Sequence, residues 1–418
     1  MLEEAGNNYA EPAPSPDGKW IAYALTAGGA FSFEQATVAI VPTEGGASEI
    51  LTAELDRAAT HLKWAPDSAA VYFTAADRGC YPLYRVSLTD KMAKPLTAER
   101  TWGIRDYDVS TNGLVEIVTH PGNPFELYGS TVDGKTNTPL TTHNSSWLKG
   151  KKLSAYEPHR LETNEGITID YWSIKPAGLE PGKKYPLLVT LHDGPAAMGG
   201  PGEASNWYEL QFFAARGYAV VFCNPRGSAG YGRDFQRANF RDWGIGPTKD
   251  VLYATGFIAK ESYVDPSRLV LAGTSYGGYL VSWIIGHDPR FKAAMAQDGV
   301  YDLPAFFGGS DQPFLIRRYW GGYPWQKNIR LLLDRDSPMN SVENIKTPLL
   351  IVQSSPDSPT EAIQGQILFR NLTQLGSKVE YARYPPKPIE PISVTSPRER
   401  LDRLIRAEEF FNRQLDEN

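Results

Sequence analysis

A glycine-rich run at positions 273–279, which reads GTSYGGY, constrains the fold of this 418-residue chain more than any other feature. It directly follows an apolar strand-like segment, 269–272, and directly precedes an apolar segment, 280–285. Glycines two residues before and two residues after Ser275 remove side chains that would collide in a tight strand-to-helix turn. The turn exposes the serine hydroxyl, and the Tyr276 amide at the helix N-terminus faces any developing negative charge. The run predicts a nucleophile elbow; a glycine-rich turn with an incidental serine is the alternative.

Apolar strand-like segments alternate with helix-like segments through the second part of the chain. The strands are predicted at 167–174, 185–191, 219–223, 269–273 and 348–352, with a C-terminal helix at 398–415. Continuous apolar strands of this kind are typical of a parallel sheet that helices cover on both faces. We therefore predict one α/β domain over residues 151–418.

The first 145 or so residues contain a weak internal repeat with a period of roughly 45 to 50 residues. A turn-and-strand phrase at 15–23 recurs at 65–73 and more faintly at 110–117, and closing phrases end at Thr52, Thr97 and Thr141. Short strands at this period fit the four-stranded blades of a β-propeller. We predict an incomplete propeller of about three blades over residues 1–150, whose open edges need covering by the second domain, a partner chain or self-association. An irregular β-sandwich is the alternative.

Charge and composition exclude several classes of partner. The 42 basic and 48 acidic residues give a net charge of −6, which lacks the electrostatic footprint of a nucleic-acid binder. We find no apolar stretch of about 18 residues and no signal-peptide pattern, so we expect a cytoplasmic protein that does not bind membranes. The two cysteines, Cys80 and Cys223, lie far apart, and neither a metal signature nor a cofactor fingerprint is present.

Four further short sequence phrases precede the elbow. They read LHDGP at 191–195, NPRGSAGYG at 224–232, DWGIG at 242–246 and VDPSR at 264–268. With them, the region from about 162 to 415 resembles the catalytic domain of the prolyl oligopeptidase family of serine peptidases, in particular its acylaminoacyl-peptidase and dipeptidyl-peptidase branch. The resemblance implies an α/β-hydrolase domain preceded by a β-propeller, and acyl transfer on short peptides or acylated amino acids without a cofactor.

The same resemblance assigns roles to individual residues. Ser275 aligns with the nucleophile, the Tyr276 amide and the His192 side chain align with oxyanion donors, and Asp357 aligns with the catalytic acid. The usual His-Gly before that aspartate is Gln353-Ser354 here. Two alternatives without a catalytic role stay open: Asp357 is an ordinary turn residue, and His192 is a purely structural histidine.

The catalytic base is missing from its place. Histidines occur only at 61, 120, 143, 159, 192 and 287, and the loop that should supply the base reads YPPKPI, with Ile389 at the histidine position. Lys387 could act as the base of a Ser-Lys dyad only if burial lowered its pKa, and His192 is a weaker candidate. Glu361 and Glu390 are most simply solvated carboxylates. Removing a triad histidine costs on the order of 10⁶ in turnover in another serine protease, so ordinary peptidase activity is not expected.

Three interpretations follow. The chain is a non-catalytic protein that binds peptides or a partner, an active but atypical hydrolase that uses Ser275 with a non-standard base, or a shortened product without a selected role. An aromatic-rich stretch, residues 306–325, either lines a specificity pocket for an apolar or proline-containing acyl group or belongs to the core or a lid. His287 is expected to cap a helix or lie at the surface.

Overall fold

The computed structural model describes residues 6–97, 101–353, 359–384 and 397–416. The chain divides into two compact units. Unit 1 comprises residues 1–155, 198–208 and 228–237, and unit 2 comprises 156–197, 209–227 and 238–418. The chain therefore leaves unit 2 twice to add short segments to unit 1.

Unit 1 is built from three four-stranded antiparallel sheets, each a meander of sequential strands. Short runs rich in β-branched and aromatic residues, bounded by the turn phrases, form these strands. The strands of the first sheet are Asn8–Pro14 (β1), Trp20–Thr26 (β2), Thr37–Pro42 (β3) and Glu49–Ile50 (β4). The strands of the second sheet are Ala59–Trp64 (β5), Ala70–Ala75 (β6), Leu83–Ser87 (β7) and Ala93–Pro95 (β8). The strands of the third sheet are Gly103–Ser110 (β9), Gly113–His120 (β10), Asn123–Ser130 (β11) and Thr138–Pro139 (β12), and a short helix, Ser145–Leu148 (α1), follows them.

The second sheet buries apolar residues on both faces because it packs between the other two. Val71 and Phe73 belong to a buried cluster with residues of the first sheet, such as Ile40. Tyr72, which points to the opposite face of β6, belongs to a cluster with residues of the third sheet, such as Val118. The predicted repeat is thus confirmed as a series of small sheets that bury their faces against their neighbours.

Unit 2 contains an eight-stranded sheet with helices around it. Its strands are Tyr156–Glu162 (β13), Thr168–Ile174 (β14), Tyr185–Leu191 (β15), Ala219–Cys223 (β16), Val264–Thr274 (β17), Ala293–Gln297 (β18), Leu349–Gln353 (β19) and Val379–Arg383 (β20). Along the chain, the helices after α1 are Trp207–Ala215 (α2), Arg233–Arg237 (α3), Ile245–Ile258 (α4), Tyr276–Ile285 (α5), Leu303–Gly309 (α6), Phe314–Trp320 (α7), Lys327–Asp336 (α8), Pro359–Gln374 (α9) and Pro397–Asp416 (α10), and 3₁₀ turns lie at Gly29–Phe31 and Pro338–Asn344. Helix α3 and the turn Gly29–Phe31 belong to unit 1.

The strand order is β13-β14-β16-β15-β17-β18-β19-β20. The pairs from β16 to β20 are parallel, as predicted, whereas β13 and β14 run antiparallel to their neighbours. A short turn joins β13 to β14, and a connection of that length can form a hairpin but not a parallel crossover. Helix α10 packs Phe410 and Phe411 in one buried cluster with Leu350 and Val352 of β19.

This topology decides which residues meet. Strands β15, β17, β18 and β19 are neighbours and parallel, so their carboxyl ends share one edge of the sheet. His192 follows β15, Ser275 follows β17, Asp298 follows β18 and Gln353 ends β19. In open α/β sheets, this edge is where ligands bind.

Candidate active site

Ser275 lies at the junction between β17 and α5, as the sequence predicted. Its backbone has φ of 56° and ψ of −115°, a conformation that L-residues rarely adopt. The strain, of about 1 to 3 kcal/mol, is maintained by two backbone hydrogen bonds: the Ser275 amide donates to the Gln297 carbonyl at 2.8 Å, and the Tyr279 amide donates to the Ser275 carbonyl at 3.0 Å. Ser275 is exposed while the following helix is buried, so the turn presents the hydroxyl to solvent.

The glycines of the elbow allow backbones to approach closely. A Cβ atom at Gly277 would lie 2.5 Å from the Leu191 carbonyl oxygen and 2.8 Å from that of His192. A Cβ atom at Gly273 would lie 2.5 Å from the Gly277 carbonyl oxygen. Helix α5 therefore begins directly against the end of β15, which brings the Ser275 turn close to the backbone of His192.

The His192 ring is buried and bonded to its own loop. Its Nδ1 lies 2.8 Å from the Asp193 carbonyl oxygen, which can only accept, so Nδ1 carries a proton. Burial lowers the pKa of His192, although hydrogen bonds to the Asp193 and Gly194 backbone and the charge of Asp193 oppose this shift, and the neutral ring is favoured. A neutral imidazole with its proton on Nδ1 has a lone pair on Nε2. The Nδ1 bond holds the ring against the loop after β15. The role of His192 as an oxyanion donor stays a prediction from the sequence.

Tyr276 contributes to the site through its backbone. Its ring is buried, and its hydroxyl donates to the Trp243 carbonyl at 2.8 Å. Burial raises the pKa of Tyr276 well above its usual value, so the phenol stays neutral. As the first residue of α5, Tyr276 has an amide without an intrahelical acceptor, which is the group the oxyanion prediction requires.

Sequence reasoning missed Asp298, which joins two strands at this edge. Asp298 also has a positive φ, 47°, and its amide donates to the Val352 carbonyl at 2.9 Å. Its carboxylate accepts from Gln353 Nε2 at 2.9 Å and from Gln297 Nε2 at 3.0 Å. Asp298 thus connects the residue that anchors the Ser275 amide with the residue at the end of β19. An acidic residue directly after a buried strand was the available signal.

Several predicted residues lie outside the described part of the chain. These are Asp357, Lys387, Ile389 and Glu390, together with the side chain of Glu361. Their roles stay predictions from the sequence.

The aromatic stretch after β18 divides into two parts. Tyr319 and Trp320 are buried and contact Trp243 at centroid distances of 5.0 and 4.8 Å, so they belong to the core. Trp325 is 71% exposed and stacks on Tyr323 at 4.6 Å. His287, at the surface, bonds through Nδ1 to the carbonyl oxygen of Trp283 at 2.8 Å.

The described residues lack two features that would indicate other functions. They contain no helix with the length and apolar character needed to cross a bilayer. They also contain no group of three or more His, Cys, Asp or Glu side chains placed to hold a metal ion.

Comparison with known proteins decides the family. Residues 204–418 match the model of the prolyl oligopeptidase family, which is just over half of the chain. The chain belongs to the prolyl oligopeptidase family. The resemblance inferred from the elbow and its accompanying phrases is confirmed.

Curated relatives extend the family match beyond the catalytic region. The chain is 32% identical over 355 residues to the uncharacterized peptidase YuxL of Bacillus subtilis, covering 84% of this chain and 53% of that protein. It is 27% identical over 382 residues to dipeptidyl-peptidase 5 of Schizosaccharomyces pombe, covering 90% of this chain and 55% of that protein. The chain thus spans about half the length of the curated relatives it matches.

Solved structures of family members share the fold. An acylaminoacyl peptidase in complex with Z-Gly-Gly-Phe-chloromethyl ketone superimposes with a TM-score of 0.88 at 26% identity, covering 99% of this chain and 64% of that one. The uncomplexed acylaminoacyl peptidase of Pyrococcus horikoshii gives a TM-score of 0.84 at 27% identity, covering 96% of this chain and 62% of that one. These matches confirm an all-β region followed by an α/β-hydrolase domain.

Proposed function

We propose that this member of the prolyl oligopeptidase family binds short peptides or acylated amino acids at Ser275 and turns them over with strongly reduced efficiency. The observation that carries the proposal is the Ser275 elbow, which exposes a hydroxyl at the N-terminus of α5. Relatives named dipeptidyl-peptidase 5 and acylaminoacyl peptidase support this class of ligand.

The proposed chemistry is attack of the Ser275 hydroxyl on the carbonyl carbon of a bound peptide or acyl group. The Tyr276 amide stabilises the oxyanion, and Asp357 is the acid that the family provides at this place. His192 holds the loop after β15 through its bond to the Asp193 carbonyl.

The proposed reduction in turnover follows from the missing base. A serine hydroxyl is a weak nucleophile until a base removes its proton. No histidine follows residue 287, and Ile389 stands at the position of the family's base. The oxyanion hole and binding alone can retain an acceleration of about 10³ to 10⁴ over water. A peptide-binding protein without turnover is the second candidate, and the same substitution favours it.

Intact-mass detection of fluorophosphonate labelling tests the proposal. Attack by the Ser275 oxygen on phosphorus forms a P–O bond and expels fluoride, and the hydroxyl proton passes to solvent or to a nearby base. We expect slow labelling at one site, which Ser275→Ala abolishes. Ser267→Ala is the matched control, because Ser267 is an exposed serine whose hydroxyl bonds to Asp265 at 2.6 Å. This control should label like the unmodified protein.

The labelling rate separates the candidates. Rapid labelling that Ser275→Ala abolishes would contradict reduced efficiency and favour an atypical hydrolase, with Lys387 and His192 as the next residues to mutate. Absence of labelling in a folded protein, together with measurable peptide affinity, would favour the binding protein. Labelling that persists in Ser275→Ala would overturn the assignment of the nucleophile.

A further inference from the structure

A cleft of about 620 Å³ lies in unit 1. Its walls are turns of the second and third sheets, at residues 65–67, 87–94, 110–111 and 132–133. This volume falls within the usual range for sites that bind small molecules. Ser275 and the residues around it do not line the cleft.

Three side chains of the second sheet form a row along one wall. Tyr72 on β6 pairs directly with Arg85 on β7, and Arg85 pairs directly with Lys94 on β8. Directly paired residues of neighbouring strands point to the same face of a sheet. The Arg85 guanidinium lies 5.9 Å from the centroid of the Tyr72 ring, and the Tyr72 hydroxyl donates to the Val132 carbonyl of the third sheet at 3.1 Å. The row is therefore fixed at its aromatic end.

The row places two positive charges side by side. Like charges that face each other directly on a sheet destabilise it. Lys94 has a partner, since its Nζ lies 3.1 Å from Asp90 Oδ2. Half-buried Arg85 makes no ion pair with any described residue. The pKa of Asp90 is lowered mainly by the hydrogen bonds from the Met92 amide and Lys94, and Arg85 adds the smallest contribution. A planar guanidinium that has no ion-pair partner among the described residues can bind a carboxylate through two parallel hydrogen bonds.

Carboxylate side chains also line the cleft. Asp67 Oδ1 accepts the Ala69 amide at 3.0 Å, and no ion pair joins Asp67 to the described residues. Asp133 is paired with Lys135 at 2.8 Å. Three carboxylates at the rim, those of Asp67, Asp90 and Asp133, repel a multiply charged anion such as a phosphate. Among the described residues that line the cleft, Arg85 and Asp67 thus remain without an ion pair, and a ligand that carries both charges can pair with them.

We propose that this cleft binds a zwitterionic ligand of the class of short free peptides. The ligand carboxylate lies on Arg85, and its ammonium group faces Asp67. Met92 and Val132, which are 62% and 44% exposed, line the cleft and supply apolar contact for a side chain. The site does not depend on Ser275 or on the proposed function.

Isothermal titration of the Ser275→Ala protein with glycyl-phenylalanine tests this site without interference from turnover. We expect binding that weakens about 10-fold when the peptide is C-terminally amidated, because the ion pair with Arg85 is lost. N-acetylation should weaken binding about 3-fold, because the ammonium group faces a more exposed partner. Free phenylalanine, run in parallel, shows whether the peptide bond contributes.

Variants of the cleft complete the test. Arg85→Gln should weaken glycyl-phenylalanine binding about 10-fold, and Arg85→Lys should give an intermediate loss. Lys19→Gln is the matched control, because Lys19 is a solvent-exposed lysine on a turn of the first sheet, and it should not change the affinity. The proposal would be overturned if the Arg85→Gln protein, with unchanged circular dichroism, bound glycyl-phenylalanine as tightly as the protein that retains Arg85. The absence of binding at about 10 mM peptide to the protein that retains Arg85 would also overturn it.

Discussion

Both units hold non-glycine residues at positive φ, but the surroundings of these residues differ. In unit 1, Glu11 and His61 have φ of 52° and 57° at bulges of the first strands of two sheets. Groups of the neighbouring sheets bond to both residues: the Leu62 amide donates to Glu11 Oε2 at 3.1 Å, and the Tyr107 hydroxyl donates to the His61 carbonyl at 2.5 Å. The strain at these two bulges therefore accompanies contacts between sheets.

Ser275 in unit 2 has nearly the same φ, 56°, and the contacts of its side chain are different. Its backbone amide and carbonyl are both bonded, while its exposed hydroxyl makes no hydrogen bond within the described residues. Backbone hydrogen bonds thus hold Ser275 in a strained conformation, although its exposed side chain contributes nothing to packing. Such a conformation is typical of a functional position, whereas the bulges of unit 1 are explained by assembly of the sheets.

The largest expected effect that tests this contrast is that of Gly277→Ala. The new Cβ atom would meet backbone oxygens at 2.5 and 2.8 Å, and neither can move without shifting the end of β15. We expect the free energy of unfolding to fall by about 3 kcal/mol. The rate of fluorophosphonate labelling at Ser275 should fall about 100-fold, because the hydroxyl is displaced.

Gly256→Ala is the control for that substitution. Gly256 lies within α4, and a Cβ atom there meets nothing within 4 Å. Alanine should stabilise the helix by about 0.5 to 1 kcal/mol and leave labelling unchanged. Equal behaviour of the two variants in urea unfolding and labelling would show that the elbow is not tightly packed.

The second prediction concerns the pH dependence of stability through His192. Burial holds the pKa of His192 below 6.5, its value in the unfolded chain, so the unfolded state takes up the proton first as the pH falls. The contribution of His192 to stability is therefore complete above pH 6.5 and is lost as the pH falls below that value. His192→Gln should lose this component in urea unfolding between about pH 5 and 8. Parallel curves for the two proteins would contradict it.

The smallest expected effect belongs to unit 1. Tyr107→Phe removes the donor to the His61 carbonyl and keeps the buried ring. We expect a loss of about 1 kcal/mol in the free energy of unfolding. Labelling at Ser275 should not change, because the strained residue affected lies in another unit. Altered labelling in Tyr107→Phe would contradict the separation between the two kinds of strain.

Local patterns were enough to predict the elements around the elbow. The expected strands at 185–191 and 219–223 coincide with β15 and β16, since continuous apolar runs between turns leave little freedom in their bounds. The elbow was predictable because glycine spacing reports a backbone requirement. The Asp298 contact with Gln353 was not, because it joins side chains 55 residues apart. The orientation of the His192 ring likewise depends on a hydrogen bond that no spacing records.

The two excursions of the chain into unit 1 have a consequence for folding order during synthesis. Gly79 donates its amide to the sulfur of Met198, 119 residues later, and Gln35 donates to Gln236, 201 residues later. Because translation proceeds at about 5 to 20 residues per second, the three sheets are synthesised several seconds before these partners exist. The sheets of unit 1 are therefore synthesised before the segments 198–208 and 228–237 that complete their contacts. Contacts between residues so far apart in the sequence form slowly. Completion of unit 1 is thereby tied to synthesis of the first part of unit 2.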